Sequence, residues 1–405
     1  MKHSIKQPDG TDAPVLVDAA RGTNQSGMRA HNERLVLTLI RQKGALAKSE
    51  IARLTGLSAQ TVSVIMRALE ADGLLEKRAP VRGKVGQPFV PMDLGPQGAY
   101  FLGLKVGRRS LDLVLTDFCG RVVDQKHQNH RYPEPDNVVR FANDAIGQVL
   151  APLTPEQRGR VAGLGIAIPF SLWDWAKALD VRPSDMAGWR DRNIATEIAT
   201  QWDFPVYLRN DASAACGAEL VFGDQDAPPD FLYFFIGFFV GGGLVLDNRL
   251  YTGPTGNAAA LGPMPIVGKD GRRCELIDVA SLVALERALL VAGADSDTIW
   301  TDPAAWDVPR DILDAWLDHA AHGLAQATLS AACLIDFQRV VIDGWMPQSV
   351  RAELVARTLA ALADVQTAGI ARPEVYEGSI GPDARVLGAA SLPLSARFLV
   401  DGKLA

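Results

Sequence analysis

Leu54–Leu75 reads LTGLSAQTVSVIMRALEADGLL, and its punctuation decides the first part of the fold. Thr55-Gly56-Leu57 is a tight break in which Gly56 can take the left-handed conformation that a helix-helix turn needs. Ser58 follows as an N-cap. Val62, Ile65, Met66 and Leu69 then recur at i, i+3, i+4 and i+7, the buried stripe of a helix that runs to about Asp72 and stops before Gly73. Its open face carries Ala59, Gln60, Thr61, Ser63, Val64 and Arg67. Small, polar and basic side chains of this kind reach base edges and phosphates when a helix lies in a DNA major groove.

Toward the N-terminus, Lys48–Leu54 reads as a shorter helix that buries Ile51 and Leu54, with Lys48 at its start. Asn32–Gln42 reads as a first amphipathic helix with Leu35, Val36, Leu39 and Ile40 at helical spacing and Gly44 as its stop. Toward the C-terminus, Leu74-Leu75 begins a strand, Arg78 to Gln87 forms a loop, and Phe89–Met92 returns. Three helices and a hairpin make a winged helix-turn-helix over 28–93. Arg82, Gly83, Lys84 and Gln87 lie at the wing tip, placed to meet the phosphate backbone or the minor groove. A helix pair without a DNA role is the alternative, and charge argues against it. Between Met28 and Pro91 eleven Lys/Arg face five Asp/Glu, a balance of +6 in a chain whose total is −6. A small basic module on a larger acidic body has the electrostatic footprint of a nucleic-acid-binding domain. Met1–Gly27 is polar and aperiodic and reads as a disordered tail.

The remainder, 94–405, has the texture of an α/β body. After a short linker, Leu94–Gly98, strands are expected over Tyr100–Val106, Ser110–Thr116 and Arg121–Val123, a helix over Pro135–Leu150 and a strand over Val161–Ile168. The pattern recurs from Phe231 through Leu250 and again at Arg339–Ile342, which indicates two similar halves with a cleft between them. Gly241, Gly242 and Gly243 separate the apolar runs Phe231–Ile236 and Leu244–Leu246. They read either as a glycine bulge or as the wall of a ligand pocket. Asp247-Asn248 closes a hairpin, and no lysine follows the glycines as it would in a phosphate-binding P-loop. The chain has 405 residues, 48% hydrophobic and 22% charged, with no apolar run long enough to cross a bilayer. A cytoplasmic protein of more than one domain, without membrane association, is expected. Cys119, Cys216, Cys274 and Cys333 lack the spacing of a disulfide framework or a zinc knuckle.

Several separate motifs, in order, resemble the ROK family of repressors, open reading frames and kinases, and within it the NagC/Mlc/XylR-like regulators. They are the winged-helix stretch, GLGIAIPF at Gly163–Phe170, GWRDRNIATEIATQWDFPVYLRNDASAACGAE at Gly188–Glu219, the glycine-rich Ile236–Met264 and GPDARVLGAA at Gly381–Ala390. The resemblance implies a two-lobed, actin-like body of the sugar-kinase type behind the winged helix, and a homodimer or homotetramer on an inverted-repeat operator in double-stranded DNA. The family's first phosphate turn, Asp-x-Gly-Gly-Thr, falls on Lys105-Val106-Gly107-Arg108-Arg109. Bulky side chains there obstruct the close backbone approach that phosphates require, so neither a nucleotide cofactor nor kinase activity is expected.

The family's catalytic base falls on Asp211 beside Asn210. Without a nucleotide these two are ligand contacts, the N-cap of the helix Ala212–Val221, or both. The sugar-binding Glu is replaced by Ala260, the zinc-binding His by Pro263, and the cysteine cluster shrinks to Cys274, so no metal is expected. Asp278 can stand in for a later sugar-contacting Glu only if the register shifts by one residue. The candidate effector set is Pro169, Asn210, Asp211, Gly241, Gly242, Gly243, Asn257 and Asp278. The favoured reading is a transcriptional regulator, a repressor of carbohydrate transport or catabolism genes, that senses a sugar, a sugar derivative or some other small molecule. An active sugar kinase and a ligand-free DNA-binding or interaction protein are the competing readings.

Overall fold

The computed structural model describes residues 25–81, 89–175, 181–365, 368–400 and 402. Helices α1 (Gln25–Lys43), α2 (Lys48–Thr55) and α3 (Ala59–Ala71) are followed by the hairpin of β1 (Leu75–Lys77) and β2 (Met92–Leu94). Gly56 takes φ +69° between α2 and α3, and the Ser58 hydroxyl accepts the Thr61 N–H at 3.1 Å. The four stripe residues of α3 are all buried. α1 is longer than its apolar spacing indicates: it starts at Gln25, inside the stretch read as a tail, and the exposed residues Gly27–His31 carry no stripe that would reveal it. The rest of that tail, 1–24, lies outside the described residues. An antiparallel bridge between Val81 and Phe89 extends the hairpin, and the tip residues Arg82, Gly83, Lys84 and Gln87 also lie outside the described residues.

The body holds two five-stranded sheets of the same order and sense. The first runs β5 (Val122–Asn129), β4 (Ser110–Asp117), β3 (Tyr100–Val106), β6 (Val161–Ile168), β7 (Val206–Asn210). The second runs β10 (Arg249–Tyr251), β9 (Val240–Leu246), β8 (Phe231–Ile236), β13 (Arg339–Gly344), β14 (Glu374–Glu377). In each, an antiparallel meander is joined on one edge by two parallel strands. The duplication read from the recurring strand-turn-strand pattern is therefore a duplication of topology. Asp247 and Asn248 both take positive φ, 54° and 58°, the geometry of a tight two-residue hairpin turn.

Helix α4 (Pro135–Leu150) covers the first sheet with the short helices α6 (Pro183–Ala187) and α7 (Ile194–Ala199), while α5 (Pro155–Arg158) is a single turn leading into β6. The second sheet is covered by α9 (Leu276–Ala280), α10 (Leu282–Val291), α11 (Thr298–Thr301), α12 (Arg310–Ala332) and α13 (Gln348–Ala363), with the small hairpin β11 (Pro265–Val267) and β12 (Arg273–Glu275) beside α12. Between the sheets lie α8 (Asp211–Phe222) and α14 (Ala384–Phe398), packed on each other. Their approach is so close that a Cβ on Gly388 would lie 1.9 Å from the Ala214 carbonyl oxygen, and α14 is as close to β6, where a Cβ on Gly165 would lie 1.8 Å from the Ala389 carbonyl oxygen.

The stretch Leu94–Gly98, read as a linker, is packed in place. The Gly95 N–H donates to the Leu74 carbonyl at 2.9 Å, and Leu94, Gly95 and Gly98 are buried. One hydrophobic cluster joins Val36, Leu39, Ile40 and Met66 of the winged helix to Phe101, Phe118, Leu394 and Phe398 of the body. Burying one large apolar side chain is worth roughly 1.5–3 kcal/mol. A joint built from several of them holds the DNA-binding domain as part of the body rather than on a tether.

Candidate nucleic-acid interface and ligand cleft

Among the residues expected to meet DNA, Lys48, Ser58, Ala59, Gln60 and Arg67 are exposed, while Thr61 and Ser63 are half-buried. The Ser58 and Thr61 hydroxyls lie 2.8 Å apart in the cap, so they are shared between holding the helix start and facing solvent. Arg67 reaches back to the Ser63 carbonyl at 3.1 Å. The open face of α3 also includes Val64, an apolar side chain 46% exposed, which is the type of group that meets a thymine methyl. Arg78, at the base of the wing, is engaged by Asp93 at 2.9 Å and Glu76 at 3.3 Å and is less available to phosphate than its charge indicates.

In the body, the turn between β3 and β4 faces its counterpart between β8 and β9. Gly107-Arg108-Arg109 in the first lobe corresponds to Gly237-Phe238-Phe239 in the second, and the two turns are closed on each other. The Arg108 guanidinium lies 3.4 Å from the centre of the Phe238 ring. Arg109 pairs with Glu286 at 2.5 Å and lies 5.0 Å from the centre of the Trp300 ring, while the Trp300 indole N–H donates to Glu286 at 3.0 Å. Burial holds the Arg108 guanidinium down to about 10, against the pull of Glu286. A desolvated cation over an aromatic ring is worth about 2 kcal/mol. The volume between two such turns is where a nucleotide phosphate would have to enter, and here arginine and aromatic side chains fill it.

Behind this clasp, Lys105 is buried and donates to Asp112 at 2.6 Å and Ser110 at 3.0 Å, with the Trp345 ring of the second lobe 5.8 Å away. Asp211, in the position of the family's base, pairs with Arg385 at 3.4 Å. The Asn210 side chain accepts the Ala212 and Ser213 N–H groups at 3.1 and 3.2 Å and so caps α8. Gly241, Gly242 and Gly243 have a packing reason for lacking Cβ atoms: such atoms would lie 2.6 Å from Ala212 Cβ, 2.3 Å from Leu261 Cδ1 and 2.3 Å from Cys216 Cβ. This places Asn210, Asp211 and Gly241 together at the start of α8. Pro169 is buried after β6, and the Gly256–Asn257 loop comes down on the adjacent Phe170, with Asn257 exposed. Asp278 is exposed and accepts the Glu275 N–H at 3.0 Å, capping its own helix, and it makes no hydrogen bond or ion pair with Asn210 or Asp211.

A tetrahedral zinc site does not fit these residues. Pro263 offers no donor, Cys274 is a lone thiol, and no group of three His, Cys, Asp or Glu able to hold a metal occurs among the described residues. Four contributors to the cleft escaped the sequence reading. Phe238 was legible from the repeat, which aligns it with Arg108, and Arg385 lies inside the quoted Gly381–Ala390 motif. Glu286 and Trp300 come from helices with no local signal and are brought in by the fold alone.

Residues 101–395 match the ROK family, and 29–76 match a winged helix-turn-helix DNA-binding family. A protein of Sinorhizobium fredii without an assigned function is 27% identical over 368 residues, which is 91% of each chain. The xylose repressor of Caldicellulosiruptor bescii is 26% identical over 271 residues, 66% of this chain and 67% of that one. Among solved structures, a ROK family transcriptional regulator described as a homolog of the E. coli MLC protein superposes with a TM-score of 0.63 at 20% identity, over 92% of this chain and 97% of that one. A ROK glucokinase from Streptomyces griseus, solved with glucose and AMPPNP, gives 0.54 at 17% identity over 73% and 99%. The likeness to the kinase stops at the body, and the likeness to the regulator takes in the winged helix. The chain thus belongs to the ROK family, as a DNA-binding transcriptional regulator rather than a kinase.

Proposed function

We propose that this regulator is a repressor that binds an inverted-repeat operator as a homodimer or homotetramer and releases it when a small molecule, a sugar or a sugar derivative, binds the body. One observation carries the reading. A winged helix with an exposed Gln60–Arg67 face is fused, through a shared core, to a kinase-type body whose two phosphate turns are filled by Arg108, Arg109 and Phe238. A relative named as a xylose repressor favours carbohydrate genes as the target. An effector acts here only through its different affinity for the DNA-competent and DNA-incompetent arrangements. The shared core gives such a difference a direct route to the winged helix.

The test is operator binding by the full-length protein, using DNA upstream of the genes that flank its own. Gln60→Ala and Arg67→Ala should each weaken specific binding by about 1–3 kcal/mol. Neutralising Arg82 and Lys84 together should weaken binding to all sequences and flatten the salt dependence by about two phosphate contacts. An unchanged salt slope in the wing variant removes the wing from the interface. Unchanged specificity in both α3 variants removes the recognition helix.

A further inference from the structure

Among the described residues, five arginines keep a buried guanidinium nitrogen without a hydrogen-bond partner: Arg41, Arg108, Arg209, Arg339 and Arg385. Three of them have carboxylates, Glu286 at 4.0 Å, Asp224 at 2.6 Å and Asp211 at 3.4 Å for Arg108, Arg339 and Arg385. Arg41 donates to the Phe118 carbonyl at 2.5 Å and lies over two rings. Arg209, on β7, has no carboxylate within ion-pair distance among the described residues. Its guanidinium donates to the Thr252 hydroxyl at 3.3 Å, and burial lowers its basicity with no opposing charge. Arg209 is half-buried, and the Nε that the fold removes from water has no acceptor, a donor that a bound anion would satisfy.

Its surroundings are built from both lobes. Thr252 opens the loop that runs past Gly256 and Asn257 to Gly262. A Cβ on Gly256 would lie 3.3 Å from the Phe170 ring, so this loop meets the segment that follows β6, the strand beside β7. Ser171 and Ala259, one on each of these segments, hold positive φ of 55° and 57°. They are the two non-glycine residues in that conformation, among the described residues, that do not belong to the Asp247-Asn248 hairpin turn. Backbone held this way gathers where a ligand is gripped. The polar groups that would hold a neutral sugar are meanwhile replaced by Ala260 and Pro263 on the same loop.

We propose that Arg209 is an anion anchor and that the effector carries a carboxylate or phosphate group, seated against Arg209 and Thr252 at the start of the Thr252–Gly262 loop. This rests on the reading of the body as the sensing part of a regulator. A guanidinium presents paired N–H donors that match the oxygens of either anion, and binding would supply the missing counter-charge.

The test uses full-length protein in thermal-shift and calorimetric titrations. The probes are D-gluconate, D-glucose 6-phosphate, D-glucose and D-xylose at millimolar concentration, with sodium sulfate at matched ionic strength as the control. At least one of the two anionic probes should stabilise the protein while neither neutral sugar does, and which of them binds separates a carboxylate effector from a phosphate one. Arg209→Gln should weaken that binding by about ten- to hundredfold. It should leave the ligand-free protein as stable as the parent or more so. Arg209→Lys should retain part of the affinity, which shows that the site and not the fold was altered. The proposal is overturned if no anionic probe binds, if Arg209→Gln binds them equally, or if sulfate alone stabilises as strongly. Operator binding is measured on the same samples. Its absence in the unsubstituted protein would sink the regulator reading without touching the affinity of Arg209 for anions.

Discussion

Lys105 stands where the family's phosphate turn begins with an acid, and its ammonium is buried with Asp112 2.6 Å away. The pair is asymmetric. Burial lowers Lys105, and the nearby charge of Arg385 adds to this. Burial alone would raise the Asp112 carboxyl, but the charge and hydrogen bond of Lys105, with help from His127, hold it at about 2. The benefit seen at Asp112 is therefore partly offset by the strain at Lys105, and the pair together is worth less than the carboxyl shift alone indicates. Asp112→Asn leaves a buried ammonium unpaired and should destabilise the protein by about 3–5 kcal/mol, whereas Lys105→Met with Asp112→Leu should come within about 1 kcal/mol of the parent. Urea unfolding measures both. If the double variant is as weak as the single one, the geometry of the pair, and not its charge balance, is what the fold needs. The pH dependence has a fixed sign. A carboxyl depressed in the folded state contributes stability above its unfolded value near 3.8, and that stability is lost as pH falls toward about 2. The gap between the parent and Asp112→Asn should thus narrow as pH falls below about 4.

At the scale of elements, α14 is the part through which the cleft and the DNA-binding domain are in contact. Arg385 near its start pairs with Asp211. Phe398 at its end lies 5.8 Å and 5.0 Å from the rings of Phe101 and Phe118, and the Val400 N–H just beyond donates to the Thr38 hydroxyl of α1 at 3.0 Å. Its middle is pinned where Gly388 meets Ala214. Gly388→Ala should force the two helices apart and lower stability by about 1–3 kcal/mol, read as a fall in melting temperature. An unaltered melting curve would show that the crossing has slack. Phe398→Ala should remove about 3–5 kcal/mol and split a single calorimetric transition into separate unfolding of winged helix and body. The strands and helices here were mostly legible. Pro135–Leu150, Tyr100–Val106 and Val161–Ile168 were bounded by prolines, turns and β-branched runs, and Ser58 and Gly56 marked the recognition helix. What was not legible follows from packing at long range. The Leu94–Gly98 stretch has the composition of a linker and is fixed because Gly95 and Gly98 fit against Gly73 and Leu74. Gly241–Gly243 signalled a close approach, but only the fold could say that the approaching groups were Ala212, Leu261 and Cys216.

At the scale of the whole molecule, the turns of the two lobes meet each other across the cleft. Arg108 and Arg109 of one lobe close on Phe238, Glu286 and Trp300 of the other, and Lys105 faces Trp345 nearby. Replacing Arg108 with Gly and Arg109 with Thr restores the residue types of a phosphate turn and removes the clasp in one step. The two consequences can be measured separately. Small-angle scattering should record a larger radius of gyration, because a cation–π contact and a partly buried ion pair, together worth about 2–4 kcal/mol, no longer oppose opening. A coupled ATPase assay with a panel of sugars should record no turnover. The second turn still presents Phe238 and Phe239, and Asp211 is still paired with Arg385 rather than free to accept a sugar proton. Turnover in this variant that Asp211→Asn abolishes would mean that the arginine pair alone separates this regulator from an enzyme. An unchanged radius would mean that the lobes are held by the α8–α14 core beneath them, with the clasp following the closure rather than causing it.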